Sequence, residues 1–99
     1  MFIIFLRKTD KADQAAAQLE GHREWIAQGR NEGAFLLVGS LGENLGGAIL
    51  AAGGDRAEIE ERIARDPFVA QGIVVAEVHA FTPAIAVDRL AFLLEQETA

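Results

Sequence analysis

Residues Ala48–Phe81, AILAAGGDRAEIEERIARDPFVAQGIVVAEVHAF, read as a strand, a helix and a second strand in succession. Ala48–Ala52 is a short apolar run. Gly53-Gly54-Asp55 follows it with turn residues and ends on a side chain that caps helices by accepting a hydrogen bond from the first free amides. Asp55 therefore opens a helix that runs to about Arg65, with Ile59 and Ile63, four apart, marking its buried side. Asp66-Pro67 ends it, because a proline drives the residue before it out of the helical region. A short turn over Pro67–Gln71 then leads to Ile73–Phe81, whose run of Val and Ile makes a strand.

The same layout precedes this unit. Phe2–Arg7 reads as a strand ended by polar residues. Thr9 or Asp10 can cap a helix running to about Asn31, with Gly33 as its stop signal, and Ala34–Leu41 is the next strand. The connector Gly42-Glu43-Asn44-Leu45-Gly46-Gly47 suits a hairpin loop into Ala48. The order is β-α-β-β-α-β, the split pattern of ferredoxin-like α+β folds, with a four-stranded antiparallel sheet and both helices on one face. Thr82 as cap and Pro83 at the first helical position could begin a last, C-terminal helix. With 99 residues and no linker, the whole chain, 1–99, is expected to be one domain.

Side chains alternate along a strand, so each strand divides into two sets. Phe2, Ile4 and Leu6 oppose Ile3 and Phe5; Ala34, Leu36 and Val38 oppose Phe35, Leu37 and Leu41. Ala48, Leu50 and Ala52 oppose Ile49 and Ala51, and Val74, Ala76, Val78 and Ala80 oppose Ile73, Val75 and Phe81. A sheet with one wet face would alternate apolar with polar. This one is apolar on both sides. Two helices cover one face, and burial of each exposed Leu, Ile or Phe on the other is worth roughly 1.5–3 kcal/mol. The expected lid is a second copy of the chain, giving a homodimer with a barrel-like interior, or the segment Pro83–Gln96 with Ile85, Val87, Leu90, Phe92, Leu93 and Leu94.

Charge and composition exclude several function classes. Net charge is −6, from 9 basic and 15 acidic residues, and the basic ones are scattered among acids. Nucleic-acid binding needs a basic stripe to displace phosphate counterions, so no nucleic-acid partner is expected. The absence of cysteine excludes disulfides, thiolate metal sites and cysteine nucleophiles. The apolar run Met1–Leu6 is far shorter than the roughly 20 residues that span a bilayer and has no basic leader, so no membrane is expected and the cytoplasm is the expected location.

In the first helix Ala15, Leu19 and Ile26 form an apolar stripe, and His22 falls in line with them. In the second, Asp66 continues the line of Ile59 and Ile63. Both helices lie on one sheet face, so His22 and Asp66 can meet. A carboxylate beside an imidazole holds one tautomer, orients the ring and raises its basicity, leaving the other nitrogen free as a general base or acid. The competing structural reading is that Asp66 starts the turn Pro67–Gln71 as its N-cap, and that His22 is a hydrogen-bonded core residue.

Gly39-Ser40-Leu41-Gly42 with Gly46-Gly47 matches neither a dinucleotide nor a Walker loop, and it leads into a strand, so it reads as a hairpin with Ser40 able to line a cleft. Glu77 and His79 share a face of the fourth strand but form no metal-ligand cluster, so no metal and no cofactor are expected. Trp25 reads as a packing residue, and Glu58, Glu60 and Glu61 as a solvated helix face.

In FIIFLR, the His-Arg of HREWI, GAFLLVGSLG and above all DPFVAQGIVVAEVHAFTP, the chain resembles the YCII-related family of small bacterial proteins over nearly its whole length through Pro83. The resemblance implies a ferredoxin-like fold and a dimeric α/β barrel, and it places His22 and Asp66 at the family's catalytic His–Asp dyad. It also implies proton abstraction and elimination, since a characterised relative is a dehydrochlorinase. Leu19 stands where many members carry Arg, and Ser40 where Pro is common, so anion recognition and the cleft wall are expected to differ. The expected function is that of a cofactor-free lyase or isomerase, with His22 and Asp66 catalytic and Ser40 binding substrate. The alternative is a non-catalytic module that binds a small metabolite in the same cleft, and a third reading makes the pair purely structural.

Overall fold

The computed structural model describes residues 1–95. The elements are β1 (Phe2–Lys8), α1 (Ala15–Asn31), β2 (Phe35–Leu41), β3 (Gly46–Ala51), α2 (Arg56–Ala64), the single turn α3 (Pro67–Ala70) and β4 (Val74–Ala80). Short 3₁₀ segments occupy Ala12–Gln14, Gly42–Asn44 and Asp88–Glu95. The strands form one antiparallel sheet in the order β2-β3-β1-β4. β1 and β2 run the same way with β3 between them, which is the split β-α-β arrangement of the ferredoxin-like α+β fold.

Alternation on the central strand sets the layers. Phe2, Ile4 and Leu6 of β1 are buried under the helices, paired across the sheet with Ala51, Ile49 and Gly47 of β3. Trp25, Phe35, Ile59, Ile63, Ile73 and Val74 complete this core. The Trp25 indole Nε1 donates to the Arg62 carbonyl at 2.8 Å and ties α1 to α2. Gly46 has φ 131°, and a Cβ there would stand 1.9 Å from the Leu6 carbonyl oxygen, so the close approach of β3 to β1 requires glycine.

Three boundaries and one face differ from expectation. α1 starts at Ala15 and not at Thr9 or Asp10. The Thr9 hydroxyl accepts from the Lys11 amide at 3.1 Å and donates to the Gly72 carbonyl at 2.6 Å, so it pins the end of β1 to the start of β4 instead of capping a helix. β3 begins at Gly46, because the loop closes through Glu43 and Asn44 at φ 61° and 59° and leaves both glycines free to pair. Thr82-Pro83 caps no helix. The chain is irregular until the 3₁₀ segment Asp88–Glu95, which buries Leu93 while Ile85 and Phe92 stay exposed. Gln96, the expected end of the tail segment, lies outside the described residues.

The face that differs belongs to β2. The register steps from Phe35↔Ala51 to Leu37↔Leu50, leaving Leu36 as an extra residue. Such a bulge reverses the alternation beyond it. Phe35 therefore shares the helix side with Val38 and Ser40, and Leu37 turns to the open side. There it is 67 % exposed, as Val75 is 60 % exposed on β4. Ile3, Phe5 and Leu50 complete this uncovered apolar face, and the tail does not cover Leu37 or Val75.

Candidate active site

The site begins where α2 ends. Arg65 closes that helix, and the backbone turns at Asp66, whose extended conformation is that of an N-cap. Asp66 Oδ1 accepts from the Phe68 amide at 3.0 Å and so caps α3, with Pro67 in its first turn. The same oxygen accepts from His22 Nδ1 at 2.7 Å. The structural and functional readings of Asp66 are thus compatible, since one oxygen serves the turn and also reaches across to α1. His22 arrives there because it lies on the stripe of α1 that packs toward the sheet.

Asp66 is fully buried, and His22 retains 14 % of its side-chain surface. The second carboxylate oxygen, Oδ2, is buried without a hydrogen-bond partner among the described residues. A buried carboxylate is retained in folds when a cationic or donor partner stands against it. His22 supplies that partner. A carboxylate can only accept, so Nδ1 carries the proton and the acid–base capacity left on the ring is that of Nε2. Nε2 makes no hydrogen bond among the described residues. The ring is held by more than its edge, because Phe68 stacks on it at 4.0 Å and 6° between planes, with Trp25 at 5.8 Å and 28°.

His22 opens onto a cavity of about 510 Å³ between α1, α3 and the ends of β1, β2 and β3. Small-molecule sites run to roughly 300–1,000 Å³, so the space is ample for a single ring or short chain. Leu6, Leu19, Ile26, Val38 and Phe68 supply apolar walls. Ser40 also lines it, facing in opposite Gly47 of β3, so all three residues singled out from the sequence come together: His22 in the wall, Asp66 behind it and Ser40 across the cleft. No hydrogen bond joins Ser40 to His22 among the described residues.

Sequence reasoning missed Lys8, Asn44 and Phe68 as members of this site. Two of them left a signal. Phe68 lies two residues beyond Asp66 in the turn that aspartate caps, and Lys8 stands two beyond Leu6 on the same strand face. Asn44 enters only through the left-handed turn it occupies. Glu77 and His79 lie elsewhere, on the uncovered sheet face, where His79 Nε2 donates to Glu77 at 2.6 Å and Arg7 Nε donates at 3.1 Å. These donors, His79 first, hold the Glu77 carboxyl below its ordinary range. Among the described residues no three His, Asp or Glu side chains stand together as metal ligands would, and no helix is long and apolar enough to cross a membrane.

A ferredoxin-like sheet with an apolar cleft between its helices and strand ends defines the class of protein. Residues 1–82 match the model of the YCII-related domain, and the chain belongs to that family. Among solved structures it is similar to the 5-chloro-2-hydroxyhydroquinone dehydrochlorinase TftG from Burkholderia phenoliruptrix, in complex with 2,5-dihydroxybenzoquinone. The two superpose with a TM-score of 0.67 at 13 % identity, over 82 % of this chain and 93 % of that one, a likeness of fold. No curated protein sequence matches the chain.

Proposed function

We propose that this protein is a cofactor-independent enzyme of lyase or isomerase type that moves a proton on a small molecule, with His22 as the acid–base residue. The reading is carried by one observation: a buried carboxylate fixes Nδ1 of an imidazole at 2.7 Å while Nε2, in the wall of a cavity, has no partner among the described residues. In this mechanism Nε2 takes a proton from a carbon beside an electron-withdrawing group, and the C–H electron pair forms a new double bond. In an elimination a leaving group departs with its own electron pair; in an isomerisation the imidazolium returns the proton to another carbon. Asp66 keeps Nδ1 protonated and balances the charge the ring acquires. Ser40 donates to a polar atom of the substrate. The similarity in fold to a dehydrochlorinase solved with a benzoquinone supports this reaction class and a ring-sized ligand.

The working form is a cytoplasmic homodimer. The uncovered face bearing Leu37 and Val75 supports the dimer, and a chain without cysteine needs no oxidising compartment. The test is a thermal-shift screen of small phenols, quinones and carboxylic acids, 5-chloro-2-hydroxyhydroquinone among them, followed by turnover assays on the stabilising compounds. Turnover that disappears in His22→Ala, with the fold intact, is the expected result. Ligands that bind and are never converted would make this a binding module instead.

A further inference from the structure

We infer that the cavity is built for a molecule bearing a single negative charge, a carboxylate or phenolate on an apolar body, and that Lys8 is the residue that reads this charge. The inference rests on the cavity being the substrate site. Alternation on β1 places Lys8 on the same side as Leu6, toward the helices, and it lines the cavity with His22. Its neighbour Arg7 points the other way and is neutralised there by Glu77 at 3.1 Å. Lys8 has no carboxylate partner among the described residues. Its ammonium donates instead to the Asn44 side-chain oxygen at 2.6 Å, and a neutral amide positions the charge without cancelling it.

The rest of the lining agrees. The chain carries 15 acidic residues and a net charge of −6, yet among the described residues no Asp or Glu lines this cavity. The titratable side chains in its wall, among the described residues, are Lys8 and His22. Lys8 stands exposed at the rim of this cleft, and a cation at the mouth of a cleft with apolar walls concentrates the opposite charge there. Leu19, Val38 and Phe68 suit an apolar body, and a ligand whose oxygen sits on Lys8 is retained beside His22.

The test compares benzoate with benzamide, which share a shape and differ in charge, by NMR titration of isotope-labelled protein. Benzoate is expected to move the amide signals of Lys8, Asn44, Gly47 and His22, and to bind about tenfold tighter than benzamide, the factor one charge-assisted hydrogen bond supplies. Lys8→Met should bring benzoate down to the affinity of benzamide and leave benzamide unchanged, while Lys8→Arg keeps the preference. Lys8 is exposed, so each variant is expected to fold, and dispersed spectra are the check. Equal affinity for the two probes, or a benzoate preference that survives Lys8→Met, overturns the assignment of Lys8 and leaves the acid–base reading of His22 standing. Cavity amides that neither probe moves at tens of millimolar would overturn the cavity as a binding site, and both readings with it.

Discussion

The imidazole of His22 and the ring of Phe68 lie face to face, 4.0 Å between centroids and 6° between planes. Phe68 also donates its amide to the Asp66 oxygen that accepts from His22, so the turn opening α3 holds the histidine by edge and by face. Phe68→Leu keeps the backbone bond and removes the flat wall. It is expected to cost about 1 kcal/mol, the worth of an aromatic pair, and to lower kcat more than it raises KM. Melts combined with turnover kinetics check this, and wild-type kcat would show that the stack positions nothing.

Asp66→Asn and Asp66→Ala separate the two duties of that residue. Asparagine keeps an oxygen for the Phe68 amide and for Nδ1–H, and lacks the charge that balances an imidazolium. Its melting temperature should stay within a few degrees of wild type while kcat falls by roughly 10²–10⁴, the range for losing the charged partner of a catalytic histidine. Alanine loses the cap as well, at about 1 kcal/mol more. Full activity in the asparagine variant would reduce Asp66 to a cap.

The strands, the two main helices and the place of His22 were legible because each rests on a period, two along strands and three and four along helices. Asp66 stands beyond the end of α2 in extended backbone, so it meets His22 as the N-cap of α3 and not by continuing the helical line of Ile59 and Ile63. What broke a period was not legible. The bulge at Leu36 carries no glycine or proline to announce it, so strict alternation puts Phe35 and Leu37 on one face although the sheet sends them to opposite sides. The tail failed for another reason. Thr82-Pro83 is sound local chemistry for a helix start, but Asp88–Glu95 buries one side chain, Leu93, and one contact supports no long helix. Lys8 was hidden by its neighbours, since basic residues at a strand end read as a solvated stop until the register shows which one faces the cleft.

Gly29 makes a related point, since a glycine inside a helix reads as a weakness of about 1 kcal/mol relative to alanine. Here a Cβ at that position would lie 2.2 Å from the Phe35 ring, which is 2 % exposed and held edge-on by Trp25 at 4.9 Å. The ring has nowhere to move. Gly29→Ala is therefore expected to destabilise by about 1–3 kcal/mol, as overpacked cores do, despite its better helix propensity. Denaturant unfolding decides the sign, and a stabilised variant would show that α1 can lift from β2 without loss.

Acid should weaken the fold through two surface carboxylates. Glu32 is held below its ordinary value of 4.5 chiefly by the hydrogen bond from Arg62, and Glu77 chiefly by that from His79 and then by Arg7. A carboxyl with a depressed folded value contributes stability that is complete above 4.5 and disappears as pH falls through the folded value. Melting temperature should thus drop more steeply below this point in wild type than in Glu32→Gln/Glu77→Gln. Both groups are exposed, so the difference is small. Parallel curves would mean that neither pairing persists in solution.

The uncovered sheet face makes the firmest demand on assembly. Leu37 and Val75 stand 67 % and 60 % exposed at opposite edges of the sheet, with Ile3, Phe5 and Leu50 between them. The polar groups beside them already bond one another, Glu77 to His79 and to Arg7, so covering this face strands few unpaired donors. Burying each large apolar side chain gains roughly 1.5–3 kcal/mol, and a two-fold pairing of identical faces is the commonest way to do so. Sedimentation equilibrium should find a dimer, and Leu37→Lys with Val75→Lys should yield folded monomers of unchanged helix content. A wild-type chain that sediments as a monomer at high concentration would leave this face without its proposed cover, and the barrel would have to be abandoned while the His22 site remained open to test.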